Sequence, residues 1–425
     1  MSVALWAMLI IFVLLTILSV PMSYSIGLAS IAALLINGVP MTILAQRVFA
    51  SLNSFTLLAV PLFILCGDIM ASGSIAKKLV DFCNCLLGWV QGGLAYMTLL
   101  ASAFFGAISG SSLATTRTIG GIMYPELIRS GYIPSFAAAL GATGGTLGIL
   151  IPPSIAFVVF GTQTGTSVTK LFTCGMVVGI FMMLCYDLGA MLEIKATNQE
   201  ITLIPRPTFR DVIRALKEAV WGLFAPIIIL GGIYGGVFTP TEAAVVACVY
   251  CILVEIFIYR ELTFKSFYKT CCNSAFSAAG LLLLIAVASL FSWLMSIEGV
   301  SSLIGNFVSN SGMSQPMFLL VCTVVYLILG MLIDTTPIII LTSPILFPVA
   351  ESFGIDPVWF GVLTVVNLSF GLLTPPFGCC IFMSSTYSKQ KVVDIIKSER
   401  MMYLTGIIGV LVVTYFPQLY MWVIG

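Results

Sequence analysis

The sequence predicts an all-α polytopic membrane protein that forms a single integral membrane unit over residues 1–425. Hydrophobic residues make up 60% of the chain, charged residues only 8%, and the mean hydropathy is +1.13. A soluble domain needs far more ionised side chains on its surface. A membrane span takes roughly 20 apolar residues, and this chain could supply about ten such stretches. Helix-breaking motifs also recur in the two halves of the chain, which indicates internal repeats.

The N-terminal apolar run has no basic residue ahead of it, so we expect a retained first span and not a cleaved signal peptide. The twelve cysteines are scattered, and the chain has no histidine. Metal sites of the zinc type usually combine closely spaced cysteines with histidine support. We therefore expect the cysteines to serve as small apolar residues, with no cofactor. No basic cluster is typical of nucleic-acid binding, so no nucleic-acid partner is expected.

Three polar stretches are long enough to be aqueous loops, and all three are basic. They comprise residues 193–218, 260–269 and 389–400. Under the positive-inside rule these stretches belong on the cytoplasmic side. No lysine or arginine lies between Lys269 and Lys389, where acidic residues occupy short breaks in the apolar sequence. We place these acidic breaks on the opposite, periplasmic side: Glu298, Glu351 and Asp356.

Counting the crossings between these loops leaves two apolar stretches that enter and leave the membrane on one side. Residues near 317–350 lie among the periplasmic breaks, which predicts a re-entrant hairpin entering from the periplasm. Residues near 93–128 have charged flanks that we place in the cytoplasm, which predicts a hairpin entering from that face. The chain thus divides into a first half, a cytoplasmic connector and a second half, at residues 1–192, 193–218 and 219–425.

Two pairs of segments resemble each other across these halves. The sequence FGAISGSS at residues 105–112 corresponds to LGMLIDTT at 329–336, and GILIPP at 148–153 corresponds to GLLTPP at 371–376. The separations of the matched glycines are 42 positions in the first half and 41 in the second: Gly106 to Gly148, and Gly330 to Gly371. Two matches in the same order at nearly the same separation indicate an internal repeat.

Each of these motifs interrupts a helix. A double proline removes two backbone donors and bars regular helix just before it, and Gly-Ser-Ser and Asp-Thr-Thr favour caps and turns. Broken backbone is tolerated at membrane depth only where it is buried in protein or lines a cavity. There, freed carbonyls can coordinate a cation, and the positive N-termini of half-helices can face an anion.

The alternative is that these motifs are kinks between packed spans. Four breaks, ordered as two units that each hold a re-entrant hairpin and a discontinuous helix, favour a transport site over kinks. Because the crossing count gives the two units opposite directions, we expect inverted repeats, the architecture of many secondary transporters.

The motifs resemble those of the large membrane (permease) subunit of tripartite ATP-independent periplasmic (TRAP) transporters, essentially end to end. The resemblance rests on residues 108–111, 148–157, 238–243 and 371–376. It implies a sodium-coupled, elevator-type secondary transporter of the ion-transporter superfamily, embedded in the lipids of the bacterial inner membrane. It also implies a small four-helix membrane subunit as partner. A periplasmic substrate-binding protein would deliver a small organic anion of the C4-dicarboxylate, sialic acid or sugar-acid class.

The resemblance further implies two sodium sites and a substrate cavity between them. The first sodium site would involve backbone around Gly106, Ser109, Gly148, Ile151 and Pro153. The second sodium site would involve Gly330, Gly371, Thr374 and Phe377. The substrate cavity would present Ser109, Ser154 and Asp334.

Two side chains near these motifs leave room for more than one interpretation, and a third departs from the family's pattern. Asp334 lies deepest in an apolar run, where an ionisable group is functional by default, but aspartate also caps half-helices well. Arg117 can bind a substrate carboxylate through its planar fork, or it can extend along the hairpin to water. Thr115 stands where many members of the family carry an aspartate.

Other functions are weaker or stay open. A binding-protein-independent sodium–dicarboxylate symporter with similar hairpins stays open, and neighbouring genes for a small membrane subunit and a secreted binding protein would decide. An intramembrane enzyme would need a base beside a nucleophile within residues 109–112, but the chain has no histidine and no lysine in the apolar segments near these serines. An ATP-driven pump would need the sequence GxxxxGK[ST], which is absent. We therefore expect a carrier and not an enzyme.

Overall fold

The fold is described from a computed structural model that covers residues 2–199, 201–202 and 206–424. Every regular element in these ranges is helical. The α-helices are α1 Val3–Ile17, α2 Met22–Ile36, α3 Thr42–Leu52, α4 Ala59–Ser72, α5 Ile75–Leu87, α6 Gly93–Ser109, α7 Ser112–Thr115, α8 Gly121–Arg129, α9 Pro134–Leu150, α10 Ile155–Thr164, α11 Val168–Ala196, α12 Phe209–Tyr234, α13 Pro240–Leu253, α14 Phe264–Ile297, α15 Val300–Asn310, α16 Gln315–Gly330, α17 Thr335–Ser352, α18 Pro357–Gly371, α19 Cys379–Ser388, α20 Val392–Tyr415 and α21 Gln418–Met421. Two π-helical segments, Thr116–Gly120 and Val254–Ile258, continue α7 and α13.

Local sequence sets several of these helix starts. Thr208 and Thr239 each accept a hydrogen bond from the backbone N–H three residues later, at 3.3 Å. The acids at those positions, Asp211 and Glu242, return a bond to the threonine N–H, which completes a capping box. Pro240 follows Thr239 at the first helical position, where its missing N–H costs nothing. The motif at residues 238–243 therefore contains the start of α13.

The centre of the molecule is the discontinuous helix formed by α9 and α10. Its most apolar part is entirely buried. Helix α9 is rich in glycine and alanine, which lets neighbouring helices approach closely. Helices α6, α11, α18 and α20 pack around it. Helices such as α1 and α12 lie further out and expose large apolar side chains, as expected of a surface in contact with lipid.

Fewer full-length spans are found than the composition suggested. Six helices in the described part of the chain are long and apolar enough to cross a membrane, or up to eight if each of two bent pairs counts as one span. The estimate of ten was too high because several apolar stretches form short helices. These short helices are α1, α2, α6, α16 and α18. The last three are arms or halves of the broken elements.

The basic loops that we placed in the cytoplasm lie at one end of the molecule. Glu193, at the end of α11, forms a 3.2 Å ion pair with Arg400 of α20. Glu218 of α12 forms a 2.6 Å ion pair with Lys78. The Glu218 backbone carbonyl also accepts a 2.6 Å hydrogen bond from the hydroxyl of Tyr259, which lies just before the 260–269 loop. These contacts join the 193–218 stretch to the 389–400 stretch and to the N-terminal part of α5, and they place Tyr259, which precedes the 260–269 stretch, beside Glu218.

The acidic breaks that we placed in the periplasm lie away from these loops. Glu298 accepts a hydrogen bond from the Asn37 side chain at 3.1 Å. Phe353, between Glu351 and Asp356, stacks on Phe318 near the start of α16. The Tyr415 hydroxyl at the other end of α20 donates to the Pro316 carbonyl at 3.1 Å. The two charge classes thus segregate along the helix axes, as two sides of a membrane require.

This segregation gives a labelling prediction. In a protein cleared of exposed native cysteines, Asp356→Cys should react with a membrane-impermeant thiol reagent added outside intact cells. Arg210→Cys should react only after the cells are opened, because the basic connector is expected in the cytoplasm. Labelling of Arg210→Cys but not Asp356→Cys in intact cells would contradict the predicted orientation.

Candidate functional site

The first hairpin changes direction at a two-residue break between α6 and α7. Gly110 ends α6 with a φ of +61°, a left-handed conformation that glycine adopts readily. Ser111 then caps α7 by accepting a 3.4 Å hydrogen bond from the Ala114 N–H. The tip contacts the broken helix directly, since the Ile155 N–H donates to the Gly110 carbonyl at 3.3 Å. Hairpin tip and helix break therefore form one structure.

The first discontinuous helix breaks where the two prolines stand. Pro152 lies four residues after Gly148, so it has no N–H to donate to the Gly148 carbonyl. The chain resumes as α10 after Ser154, whose hydroxyl accepts from the Phe157 N–H at 3.4 Å and donates to the Ile149 carbonyl at 2.6 Å. Ser154 is fully buried. Its hydroxyl therefore serves the break itself, and Ser154 is not among the residues that line the cavity described below.

The two glycines of the first unit allow the hairpin and the broken helix to approach closely. A Cβ atom added to Gly106 would lie 2.6 Å from the Cα of Gly148, which real structures do not allow. A Cβ atom added to Gly148 would lie 2.7 Å from the Ser111 carbonyl oxygen and would also meet the Thr115 hydroxyl. Both glycines are helical, with no positive φ. Close approach, and not a special φ, therefore requires glycine at both positions.

The second unit repeats this arrangement. A Cβ atom added to Gly371 at the end of α18 would lie 2.7 Å from the Cα of Gly330 at the end of α16. Like Gly148, Gly371 is helical, so close approach and not a special φ requires it. Pro375, four residues after Gly371, has no N–H for the Gly371 carbonyl, which accepts instead from the Thr374 N–H at 2.9 Å. Both double prolines contain a cis peptide bond.

The residues suggested for the sodium sites group around these two contacts. Around the first, the Ser109 and Thr115 hydroxyls lie 3.2 Å apart, and the Thr115 hydroxyl donates to the Ser111 carbonyl at 2.8 Å. Thr115 thus supports the hairpin tip. The other members of this group are Gly106, Gly148, Ile151 and Pro153.

Around the second contact, the Thr374 hydroxyl donates to the Phe370 carbonyl at 3.2 Å and lies 3.4 Å from the Tyr403 hydroxyl. Phe377 lies just beyond, half exposed and stacked on Phe382. The structure therefore brings Gly330, Gly371 and Thr374 together, with the half-exposed Phe377 beside them.

A cavity of about 360 Å³ separates the two hairpin tips; we call it the central cavity. The two tips contribute five hydroxyls and a carboxyl to its wall: Ser109, Ser111, Ser112, Asp334, Thr335 and Thr336. Two half-helix N-termini border it, those of α10 and α17. Helix N-termini favour negative charge, and the hydroxyls can donate to carboxylate oxygens. The central cavity therefore suits a small anion with hydrogen-bonding groups.

Asp334 occupies the N-cap position of α17, yet its side chain makes no capping hydrogen bond to the first turn. It is half-buried and lines the central cavity. Asp356, at the start of α18, is a contrast, because its carboxylate accepts from the Val358 and Trp359 N–H groups at 2.7 and 3.3 Å. Of the two interpretations of Asp334, the geometry favours a carboxyl directed at the cavity over a side-chain cap.

Sequence reasoning missed the wall that α4 and α14 contribute to the central cavity. Asp68 of α4 lines it and accepts a 2.6 Å hydrogen bond from the Ser274 hydroxyl of α14. The neighbouring Gly67 packs against the hairpin tip, since a Cβ atom there would lie 2.9 Å from the Ser109 Cβ. Asp334 was singled out because it is an acid within an apolar run. Asp68 is likewise an acid within the apolar stretch 59–72, so the same signal could have identified it.

A second, larger cavity of about 770 Å³ continues from the central cavity; we call it the adjoining cavity. The two share four residues of their walls: Asp68, Leu113, Ala114 and Ser277. The adjoining cavity extends past Ser72 at the end of α4 and Thr270 near the start of α14. These ends of α4 and α14 lie on the side of the basic loops. The joined space is therefore open toward the end that we place in the cytoplasm.

No group of three or more histidine, cysteine, aspartate or glutamate residues is placed to hold a metal ion in the part of the chain that the structure describes. The twelve cysteines are all free thiols, and seven of them are buried. Ligands for a cation at the breaks would therefore be backbone carbonyls and hydroxyls, which are the hard oxygen donors that alkali and alkaline-earth cations prefer.

The chain matches a known transporter family over nearly its full length. A family described as "Tripartite ATP-independent periplasmic transporter, DctM component" matches residues 9–419. The chain is 39% identical over 394 residues to the C4-dicarboxylate TRAP transporter large permease protein DctM of Pseudomonas aeruginosa, covering 92% of each. It is 34% identical to the 2,3-diketo-L-gulonate TRAP transporter large permease protein YiaN of Escherichia coli, covering 84% of this chain and 83% of that one. It is 31% identical to the ectoine TRAP transporter large permease protein TeaC of Halomonas elongata, covering 95% of each.

A solved structure has a similar fold. The YdaH transporter of Alcanivorax borkumensis superposes with a TM-score of 0.66 at 14% sequence identity, covering 89% of this chain and 88% of that one. At this identity the similarity concerns the arrangement of helices alone.

Proposed function

Because this chain belongs to the DctM component family of tripartite ATP-independent periplasmic transporters, whose members are large membrane permeases, we propose that it is the membrane subunit through which a small organic anion enters the cell on a sodium gradient. The observation that carries the proposal is the central cavity. It lies between two matched units, each with a hairpin tip and a helix break, and two half-helix N-termini face it. Sodium would bind at the breaks and the anion between them.

Sodium coupling draws support from the chemistry of the breaks. Proline leaves the Gly148 carbonyl without a helical donor, and hydroxyls of Ser109 and Thr374 lie near the respective breaks. A cation held in this way needs no acidic side chain. We assign the first sodium ion to Gly106, Ser109, Gly148, Ile151 and Pro153. We assign the second sodium ion to Gly330, Gly371, Thr374 and Phe377.

The two units are proposed to be inverted repeats that move together as an elevator. The segregation of basic and acidic loops supports the inversion, because α9 starts near the basic end at Ser135, which bonds Ser398, and α18 starts at the acidic break of Asp356. Glycine contacts that bind each hairpin to its broken helix support movement of each unit as a rigid body. The membrane would be the bacterial inner membrane.

The substrate class is proposed from the relatives and the cavity together. Relatives are named for C4-dicarboxylates, 2,3-diketo-L-gulonate and ectoine, all small and polar. A periplasmic binding protein and a small membrane subunit are proposed as partners. One relative from Oleidesulfovibrio alaskensis is named an isethionate TRAP transporter permease protein DctMQ, and this chain covers 65% of it. That extra length is consistent with a second membrane component fused to the large one.

Uptake by the reconstituted complex should depend on sodium. Proteoliposomes holding this chain and the small subunit, supplied with binding protein and its ligand, should take up that ligand at least ten times faster with an inward sodium gradient than with choline outside. Removal of ATP should change nothing, because the chain has no phosphate-binding loop. The ligand comes from a thermal-shift screen of the binding protein. Uptake driven by a proton gradient in sodium-free buffer would contradict sodium coupling, and uptake without binding protein would favour the independent symporter.

A further inference from the structure

Arg117 lies in the adjoining cavity on the π-helical segment that follows α7. Segments of π-helix within α-helices occur frequently at functional sites. The Arg117 side chain is exposed, and none of the four ion pairs found among the described residues includes it. Among the described residues that line either cavity, it is the one basic side chain.

The guanidinium group of arginine presents five N–H donors in a planar fork that matches a carboxylate. A positive charge at membrane depth is costly and marks a pathway or a binding site. The alternative, a side chain that extends along the hairpin to reach water, does not require Arg117 to line a cavity that continues from the central one. Its position in the wall of the adjoining cavity favours a role in binding the transported anion.

Charge is distributed unevenly along the joined cavities. Asp334 lines the central cavity, Asp68 lines the region that both cavities share, and Arg117 lines only the adjoining cavity. One carboxylate oxygen of Asp68 already accepts from Ser274. Asn273 and Thr118, which also line the adjoining cavity, can donate further hydrogen bonds. An anion in the adjoining cavity, on the Arg117 side of Asp68, therefore meets one cation and neutral donors.

We propose that Arg117 binds a carboxylate of the transported organic acid in the adjoining cavity, on the cytoplasmic side of the central cavity. This inference rests on the proposed function and adds to it a named substrate-binding residue. The carboxylate would be held by the guanidinium fork, with Asn273 and Thr118 beside it. Arg117 would thus set the requirement for a carboxylate at this point of the pathway.

The test is direct binding to the purified complex of this chain and the small subunit in sodium-containing buffer. The probes are succinate, gluconate and N-acetylneuraminate, with succinamide as an uncharged match for succinate. Arg117→Gln keeps hydrogen-bonding capacity without the charge, and Arg117→Lys keeps the charge without the fork. Arg129→Gln is the matched control, because Arg129 lies on the same hairpin arm and is also exposed, but it pairs with Glu126 and lines neither cavity.

We expect at least one carboxylate probe to bind the unaltered protein with an apparent Kd at least tenfold lower than for Arg117→Gln. Arg117→Lys should be intermediate and Arg129→Gln unchanged, and succinamide should not distinguish the variants. The ligand-free melting temperature should stay the same, because Arg117 makes no ion pair whose loss would destabilise the fold. Equal binding by Arg117→Gln, or no binding of any carboxylate to the unaltered protein, would overturn the inference. Sodium-driven uptake by the unaltered protein would in either case leave the proposed function intact.

Discussion

Sodium-driven uptake should fall to background when Gly148 or Gly371 is replaced by valine, although the protein should still insert and purify with its small subunit. Valine at 371 would place its Cβ atom 2.7 Å from the Cα of Gly330, and valine at 148 would place it 2.7 Å from the Ser111 carbonyl oxygen. Both obstacles are backbone, which cannot rotate away as a side chain does. The hairpin must therefore move away from the broken helix.

The energetic scale explains why function should be lost before the fold. Overpacking a close contact costs typically about 1–3 kcal/mol, which a bundle of this many packed helices can absorb. A displacement of about 1 Å in a binding site built from carbonyls, however, separates ligands whose geometry fixes the cation. Melting of each variant in sodium and in choline should show this directly. The unaltered protein should be stabilised by sodium, and both valine variants should have lost that stabilisation.

Two other glycines provide matched controls. Gly231 of α12 and Gly280 of α14 lie in candidate membrane spans, and a Cβ atom at either would meet nothing within 4 Å. Valine is tolerated in lipid, so Gly231→Val and Gly280→Val should retain uptake and sodium stabilisation. Normal sodium dependence in both Gly148→Val and Gly371→Val would show that the breaks are structural kinks. The ion sites would then have to involve other groups, with Asp334 the first to examine.

Much of this fold could be predicted because its signals are local. Pro-Pro and Gly-Ser-Ser interrupt helices wherever they occur, and their repeated spacing identifies two equivalent units without knowledge of any contact. The repeat could not predict which glycines are in contact in the folded protein. Sequence comparison aligns Gly106 with Gly330, whereas in space Gly106 faces Gly148 and Gly330 faces Gly371. Contacts within a unit depend on how two helices cross, which periodicity does not encode.

The site was less predictable where its residues come from distant parts of the chain. Asp68 and Ser274 are brought together by the packing of α4 against α14, which no sequence spacing indicates. Ser154 was expected to face the substrate, but its hydroxyl bonds the Ile149 carbonyl within the break. A serine beside a double proline can serve either purpose, and only the direction of its side chain decides. The same holds for Asp334, where the carboxyl direction separates binding from capping.

Asp334→Asn should lower sodium-driven uptake at least tenfold while changing the stability of the protein by less than about 1 kcal/mol. Asparagine caps helices as well as aspartate does, so this exchange would be harmless if Asp334 only began α17. Its side chain makes no capping bond and lines the central cavity opposite the first hairpin tip. Loss of the negative charge there would weaken an acceptor for the donor groups of the transported compound, and charged hydrogen-bonding groups contribute more to binding than neutral ones.

Asp356→Asn is the matched control, because Asp356 is a true N-cap of α18 with two hydrogen bonds to backbone N–H groups and lies outside both cavities. It should retain uptake, since the asparagine oxygen can accept the same bonds. Initial uptake rates and melting temperatures of the two variants, measured side by side in the same proteoliposome and detergent preparations, separate the two roles. Unchanged uptake in Asp334→Asn would assign Asp334 to the start of α17. The charged wall of the central cavity would then be reduced to Asp68, whose carboxyl already holds the Ser274 hydroxyl at 2.6 Å.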